Sequence, residues 1–334
     1  ACLLVTDIDR GGAFAHLYGT HQLLTPEDRA SIRGFVLNKF RGDEALLAPG
    51  PEQLRRLTGV PTLAVLPMWR GHGLPEEDGV FDEATVDPQG ASDAARRLVI
   101  AVVAYPHISN LDELQPLRAC PAVSLRWART AAELARADWI ILPGSKSTSG
   151  DRAWMREQGL DPVIRAHAAA GRPLLGICGG LQILGGRLRD PHGVDGDEEG
   201  LGLLSLETRF DRDKRLAETR ARFSTEVEST GVWSALAGVS FDGYEIRHGR
   251  TAPVEGAESA GAVRVVLRDG DGAALGWQRD NVLGLYVHGM FEAPAIMRAL
   301  FGQQPRPLDA VFDGLADFID ARFEAGALAR LVGR

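Results

Sequence analysis

Three cysteines in 334 residues, Cys2, Cys120 and Cys178, are too few and too irregularly spaced for a disulfide framework or a zinc site. A reducing cytoplasm suits them. No apolar run approaches the roughly 18 residues of a membrane helix; the apolar stretches are short, such as Trp139–Leu142. A secretory signal is missing. So is an excess of positive charge. The 37 basic and 45 acidic residues leave −8, whereas a nucleic-acid binder usually carries a basic face. Neither a membrane nor a nucleic acid is expected as a partner. The initiator methionine is absent too, and Ala1-Cys2-Leu3-Leu4-Val5-Thr6-Asp7 reads at once as a buried strand. Ordered domains seldom begin in mid-core, so a piece of a longer protein is expected.

What is present is globular in kind, because 45% hydrophobic and 25% charged residues exclude a disordered or collagen-like chain. At about 150 residues per domain, the length predicts two domains. Glycine, at 39 residues, exceeds the usual share and predicts many tight turns around a ligand. Residues 1 to about 80 alternate strand and helix. The strands are Leu3–Thr6, Gly34–Asn38 and Pro61–Leu66, and the helical stretches are Glu27–Arg33 and Pro51–Leu57. Short apolar runs between helices indicate a parallel sheet with covered faces, though three strands are few for a complete doubly wound domain. Residues 85–97 are small and polar, as in a linker. Beyond them, Leu98–Ala104, Trp139–Pro143, Arg172–Ile177 and Leu283–Val287 read as strands, with β-rich segments at Leu201–Leu206 and Val263–Leu267. Leu308–Leu331 reads as an amphipathic helical tail, with Val311, Phe312, Leu315, Phe318 and Ile319 at helical spacing.

The chemistry concentrates where an apolar strand runs into Gly176-Ile177-Cys178-Gly179-Gly180, followed by a helical pattern. A sharp strand-to-helix turn of this kind exposes its central side chain at the end of a sheet. Gly176 and Gly180 remove clashes around a strained residue, and the helix start favours a thiolate. Backbone N–H groups just after the cysteine can hold an oxyanion. The plain alternative is a buried, inert thiol, which is the expectation for Cys2 and Cys120. A cysteine nucleophile needs a base, and His288 ends the apolar strand in Gly284-Leu285-Tyr286-Val287-His288-Gly289. His248 is a second candidate; His192, in a Gly- and Asp-rich loop, reads as solvated.

These motifs carry a resemblance. GICGGLQILG, LPGSKST (Leu142–Thr148), GYEI (Gly243–Ile246) and YVHGMFE (Tyr286–Glu292) resemble a class I glutamine amidotransferase domain of the CobB/CobQ type. AYPHISNLDELQPL (Ala104–Leu117) and the DPHGVDG loop (Asp190–Gly196) are also similar to that family. The likeness covers about residues 98 to 298. DIDRGGAFAHLYGT (Asp7–Thr20), GFVLNKFRGD (Gly34–Asp43) and LPEEDGV (Leu74–Val80) are similar to the cobyric acid synthases within it. In those enzymes a dethiobiotin-synthetase-like ATPase domain, with a P-loop upstream of these motifs, precedes the amidotransferase domain. This chain contains no Gly-x-x-x-x-Gly-Lys-Ser/Thr.

The resemblance implies an α/β protein. A flavodoxin-like class I amidotransferase domain (98–300) would follow the back part of a P-loop α/β domain (1–84) and the linker 85–97, with a helical tail at 301–334. It implies a carbon–nitrogen ligase. Glutamine, ATP with Mg2+ and a corrinoid would be its partners, and the b, d, e and g carboxylates of adenosylcobyrinic acid a,c-diamide would become amides. No tightly bound cofactor is implied; self-association is open. The implied roles are nucleophile for Cys178 and base for His288. Gly179 and Gly144 would donate to the oxyanion, and Gln182 would help seat glutamine. Asp7 and Asp9 would face Mg2+ carried with ATP, and Asn38, next to Lys39, would face the nucleobase. A helix cap or an ion pair with Arg10 is the plain alternative for the two aspartates. Glu76, Glu77 and Asp78 form either a solvated acidic loop or a nucleotide or corrinoid contact. Two departures stand out. Met290 sits where many class I enzymes carry a Glu, two residues after the catalytic His, so only a dyad is assigned. Arg247 replaces the His of GYEIH, beside His248. An a,c-diamide synthase, a cell-wall amidotransferase relative, a cysteine hydrolase and a non-catalytic binding module are the alternatives.

Overall fold

The computed structural model describes residues 1–69, 97–227, 231–254, 263–303 and 308–333. The linker, apart from Arg97, and the acidic Glu76-Glu77-Asp78 loop lie outside them. The chain divides into two units, with breaks between Leu74 and Pro75 and before Pro307.

In the first unit β1 (Cys2–Asp7), α1 (Ala13–Leu23), α2 (Pro26–Ser31), β2 (Ile32–Phe40), α3 (Pro49–Thr58) and β3 (Thr62–Pro67) follow one another. The strands form a parallel sheet in the order β1-β2-β3. Phe35 and Leu37 of β2, Leu17 of α1 and Leu54 of α3 make its core. Helix α2 stops at Ser31, so Ile32 and Arg33, expected in the helix, already belong to β2; β-branched Ile32 is buried in the sheet. The C-terminal helices Leu308–Asp320 and Ala327–Leu331 belong to this same unit rather than forming a tail of their own. The Phe318 ring packs on Trp69 with centroids 4.7 Å apart.

The second unit opens with β4 (Leu98–Val103), β5 (Ile108–Ser109), α4 (Gln115–Ala119), β6 (Val123–Ala128), α5 (Ala131–Leu134), β7 (Trp139–Leu142) and β8 (Gly144–Ser145). It continues through α6 (Thr148–Glu157), α7 (Asp161–Ala169), β9 (Leu174–Ile177), α8 (Gly179–Leu184), β10 (Arg187–Arg189) and β11 (Glu198–Glu199). Last come β12 (Leu206–Phe223), β13 (Ser240–Pro253), β14 (Arg264–Arg268), β15 (Ala274–Arg279), β16 (Val282–Leu285) and α9 (Pro294–Phe301). The strands β6-β4-β7-β9-β16 are neighbours in that order and all parallel. Counted along the chain this is the order 2-1-3-4-5 of flavodoxin-like sheets. β9 and β16 are buried throughout, as expected of central parallel strands covered on both faces.

An antiparallel extension departs from the sequence reading. Leu201–Ser205 forms no strand; the chain enters β12 only at Leu206 and continues to Phe223, paired with β13 over Leu206–Phe210 and Arg215–Arg222. Alternate burial of Leu206, Thr208 and Phe210, and again of Thr219, Ala221 and Phe223, anchors both ends of β12. Residues 211–214 form an irregular bulge between them, since the register jumps from Phe210 opposite Gly249 to Arg215 opposite Arg247.

Trp233, 1% exposed, packs against Trp139 with ring centroids 5.1 Å apart, and its indole N–H donates to Asn281 O at 2.8 Å. Trp233→Ala should cost about 3–5 kcal/mol, from lost apolar burial and the cavity left behind. A urea titration followed by circular dichroism measures this; an unchanged midpoint would contradict the packing described.

Candidate active site

Three neighbouring strands deliver the site. Parallel register sets Gly176 of β9 opposite Leu142 of β7, and Ile177 opposite Leu285 of β16. The residues just past these strand ends, Gly144, Cys178 and His288, therefore converge at one edge of the sheet. The Cys178 N–H donates to Leu285 O at 2.8 Å, which ties the turn to β16.

Cys178 has φ 51° and ψ −103°, a region that non-glycine residues rarely occupy. Holding it there costs about 1–3 kcal/mol, so the surroundings must enforce it. Its glycine neighbours do. A Cβ on Gly180 would fall 1.9 Å from Leu142 O, and one on Gly176 would fall 2.7 Å from the Gly180 backbone. Only glycines let α8 pack this closely on β7 and β9. The thiol is 5% exposed and lies 3.4 Å from Ile246 O of β13.

His288 is buried, and its partner is Glu113. The imidazole Nδ1 lies 3.0 Å from Glu113 Oε1, while Glu113 Oε2 accepts the Gly289 N–H at 3.3 Å. Both side chains are about 1% exposed. With Nδ1 engaged, Nε2 is left for Cys178. Tyr244 closes the other side: its ring stacks on the imidazole at 5.3 Å, its backbone bridges His288, and its hydroxyl accepts from Asn110 Nδ2 at 2.8 Å. Burial alone would lower the imidazole pKa. The Cys178 thiol and the Glu113 carboxylate outweigh it and push His288 up to about 10. The third member left unassigned by the sequence is thus in geometric reach. It comes not from Met290, which is buried, nor from Glu292, but from a short helical turn 175 residues upstream. Burial first, then Glu113 and Asp112, raise the Glu292 pKa.

Gln182, one turn after Cys178, is 3% exposed, and both ends of its amide are held. Thr148 Oγ1 donates to its Oε1 at 3.1 Å, and its Nε2 donates to Tyr286 OH at 3.3 Å. Asp195, from the DPHGVDG loop, accepts the N–H groups of Thr148 and Ser149 at 2.8 Å each and so fixes the start of α6. The Gly144–Ser145 turn packs between these parts. A Cβ on Gly144 would come within 3.0 Å of His288 Cε1, and one on Gly179 within 2.8 Å of Ser145 N. Lys146 N donates to His107 O at 2.8 Å. Antiparallel alternation then makes Ser109 and Gly144, opposite each other in β5 and β8, the next bonded pair. The Gly144 N–H accordingly faces Ser109, and the Ser145 N–H faces the Gly179 side.

His248 stands apart, with Nδ1 3.2 Å from Asp211 O. Cys120 is buried beside Gln303, and Cys2 is exposed. In the first unit Asp7, at the end of β1, lies opposite Asn38 of β2. Asp7 accepts the Asp9 N–H at 3.0 Å and pairs with Lys39 at 3.0 Å and Arg10 at 3.5 Å; Asp9 pairs with Arg41 at 2.8 Å. The Lys39 hydrogen bond holds the Asp7 pKa below its ordinary value. Asp7 is thus a cap and an ion-pair partner, and Asp9 an ion-pair partner of Arg41. The Asn38 side chain accepts the Lys39 N–H at 2.9 Å. Among the described residues no group of three or more His, Cys, Asp or Glu could hold a metal ion, and no helix is long and apolar enough to cross a membrane.

Residues 99–296 match the model of the CobB/CobQ-like glutamine amidotransferase domain. The cobyric acid synthase of Methylibium petroleiphilum is 62% identical over 337 residues, which cover 99% of this chain and 65% of that protein. That of Leptothrix cholodnii is 60% identical over 341 residues, again covering 99% and 65%. That of Variovorax paradoxus is 60% identical over 333 residues, covering 99% and 67%. The chain thus spans 65% of the length of the first two relatives.

The raised His288 pKa makes a stability prediction. Its contribution is fully present below the ordinary value of 6.5 and is lost as pH rises through about 10. The thermal midpoint should therefore fall between pH 6.5 and 10. Glu113→Gln should lower the midpoint at pH 6.5, at a cost on the order of 3 kcal/mol, and flatten the decline. Parallel curves for the two proteins would refute the assignment.

Proposed function

This chain belongs to the CobB/CobQ-like glutamine amidotransferase family, and from that premise we propose that its second unit hydrolyses glutamine to release ammonia for an amidation. One observation carries the reading: a strained, glycine-packed Cys178 beside a buried His288 whose far nitrogen is held by Glu113. His288, held by Glu113, takes the Cys178 proton as the base. The thiolate sulfur attacks the glutamine carboxamide carbon, forming a C–S bond and a tetrahedral oxyanion. The Gly179 N–H, together with the Ser145 N–H on its side, receives that oxyanion in place of the expected Gly144 N–H, which faces Ser109. His288 returns its proton to the leaving nitrogen, the C–N bond breaks, and ammonia departs from a glutamyl thioester. Water then adds to the thioester with His288 as base; the C–S bond breaks, and glutamate and the thiolate are regenerated. Gln182 acts here as a positioning residue, since its amide is committed to Thr148 and Tyr286.

The ammonia's destination is the finer part of the proposal. About 60% identity to three cobyric acid synthases supports the same role for this protein. It would amidate the b, d, e and g carboxylates of adenosylcobyrinic acid a,c-diamide, in the cytoplasm, with ATP and its Mg2+ as cosubstrates. The first unit would be part of a P-loop domain that makes the acyl phosphate. Asp7, Asp9 and Asn38 stay its strand-end candidates. In the conformation described Asp7 faces Lys39 and Arg10, and Asp9 faces Arg41.

Glutamate release from glutamine tests the core of this reading. Cys178→Ala should abolish it, and Glu113→Gln should lower kcat about 10²-fold or more with little change in KM. Release that survives Cys178→Ala would refute the proposal. In a protein of the relatives' full length, glutamine, ATP and the corrinoid diamide should yield successive amide products by mass spectrometry; their absence would refute the synthase assignment alone.

A further inference from the structure

An oxyanion donor works only if it is in place before the charge develops, and the backbone around the Ser145 N–H does little to hold it. β5 and β8 have two residues each and form a sheet of their own. A pair this short is marginal by itself. The Ser145 nitrogen nevertheless sits so close to the nucleophile turn that a Cβ on Gly179 would fall 2.8 Å from it. Something else must fix the turn.

Asp151 of α6 is the group that reaches it. Its carboxylate is fully buried. Oδ2 accepts the Ser145 hydroxyl proton at 2.6 Å, and Ser145 Oγ in turn accepts the Ser147 N–H at 3.0 Å. Oδ1 accepts the His107 N–H at 3.0 Å and lies 2.9 Å from His107 Nδ1. His107 O takes the Lys146 N–H at 2.8 Å. The contacts close a ring that runs from Asp151 to Ser145, along the chain to Lys146, across to His107 and back. A carboxylate in the first turn of a helix ordinarily serves that helix's own N–H groups. Here Asp195 already accepts those of Thr148 and Ser149, at 2.8 Å each. Asp151 is therefore free of capping and points both oxygens away from its own helix.

We propose that Asp151 is a positioning residue for glutamine hydrolysis: holding Ser145 on one oxygen and His107 on the other, it fixes the Ser145 N–H where the oxyanion forms. This rests on the glutaminase reading of Cys178. Asp151 acts through Ser145 and not on the substrate. A buried carboxylate is costly unless its oxygens are satisfied, and satisfying them is what draws the turn and His107 together.

The test separates oxyanion stabilisation from the reactivity of the sulfur. Iodoacetamide alkylates Cys178 by forming a C–S bond as iodide leaves a saturated carbon, with no oxyanion; glutamine hydrolysis passes through one. Both rates are measured for the wild type, Asp151→Asn, Ser145→Ala and the double variant. Ser145→Ala keeps the backbone N–H and leaves Asp151 with His107, so it remains decisive should Asp151→Asn not fold. Each single variant should lower kcat about 10–100-fold, with KM and the alkylation rate changed by less than about twofold. Both residues act through one hydrogen bond, so the double variant should be about as slow as the slower single variant. An unchanged kcat in Ser145→Ala or in a folded Asp151→Asn, a loss carried by KM, losses that multiply in the double variant, or alkylation that shifts as much as kcat would overturn the inference. A wild type that is alkylated at Cys178 yet releases no glutamate from glutamine would instead bring down the glutaminase reading, and this inference with it.

Discussion

The contact between Glu113 and His288 organises this site. Both side chains are buried, so neither charge is screened by water, and each needs the other. Glu113 spends both oxygens there, one on the imidazole and one on the Gly289 N–H that follows it. The ring is thereby fixed in direction, with Nε2 turned toward Cys178. Without that carboxylate, the imidazole would lose one of the two groups that raise its pKa against burial.

The sheet supplies the other constraint. Parallel register lines up the ends of β7, β9 and β16, and the glycines of α8 let that helix press against the strands. The strain at Cys178 is maintained by this close packing and by the Leu285 carbonyl. Around it, Asp195 fixes the start of α6, Thr148 and Tyr286 fix Gln182, and the β12–β13 hairpin brings the Ile246 carbonyl to the thiol. Rigid backbone thus surrounds a single reactive sulfur, as preorganised catalysis requires.

Much of this was legible in the chain. Glycine spacing around Cys178 has no use in an ordinary strand, and an apolar run ending in His288 points to a strand end. Glu113 was not legible. It lies 175 residues before its partner, in a short turn whose acidic residues look like a solvated pair with Asp112. Only the sheet order brings it to His288. The long hairpin was hidden for another reason: the middle of β12, DRDKR, is exposed and charged, so its period-2 pattern survives only at the two ends. The boundary at Ile32 is hidden because helical and strand patterns abut there without a breaker. Arg247 was visible as an oddity; the fold sets it against the buried Glu245 and the Tyr286 ring, neighbours the sequence could not place around it.

The protonation of His288 is the central claim and can be measured directly. With 15N-labelled histidine, NMR should show its imidazole still protonated at pH 8 and titrating near 10. In Glu113→Gln the titration should move down toward or below 6.5. A wild-type His288 that is neutral at pH 8, or one that titrates identically in both proteins, would contradict the account.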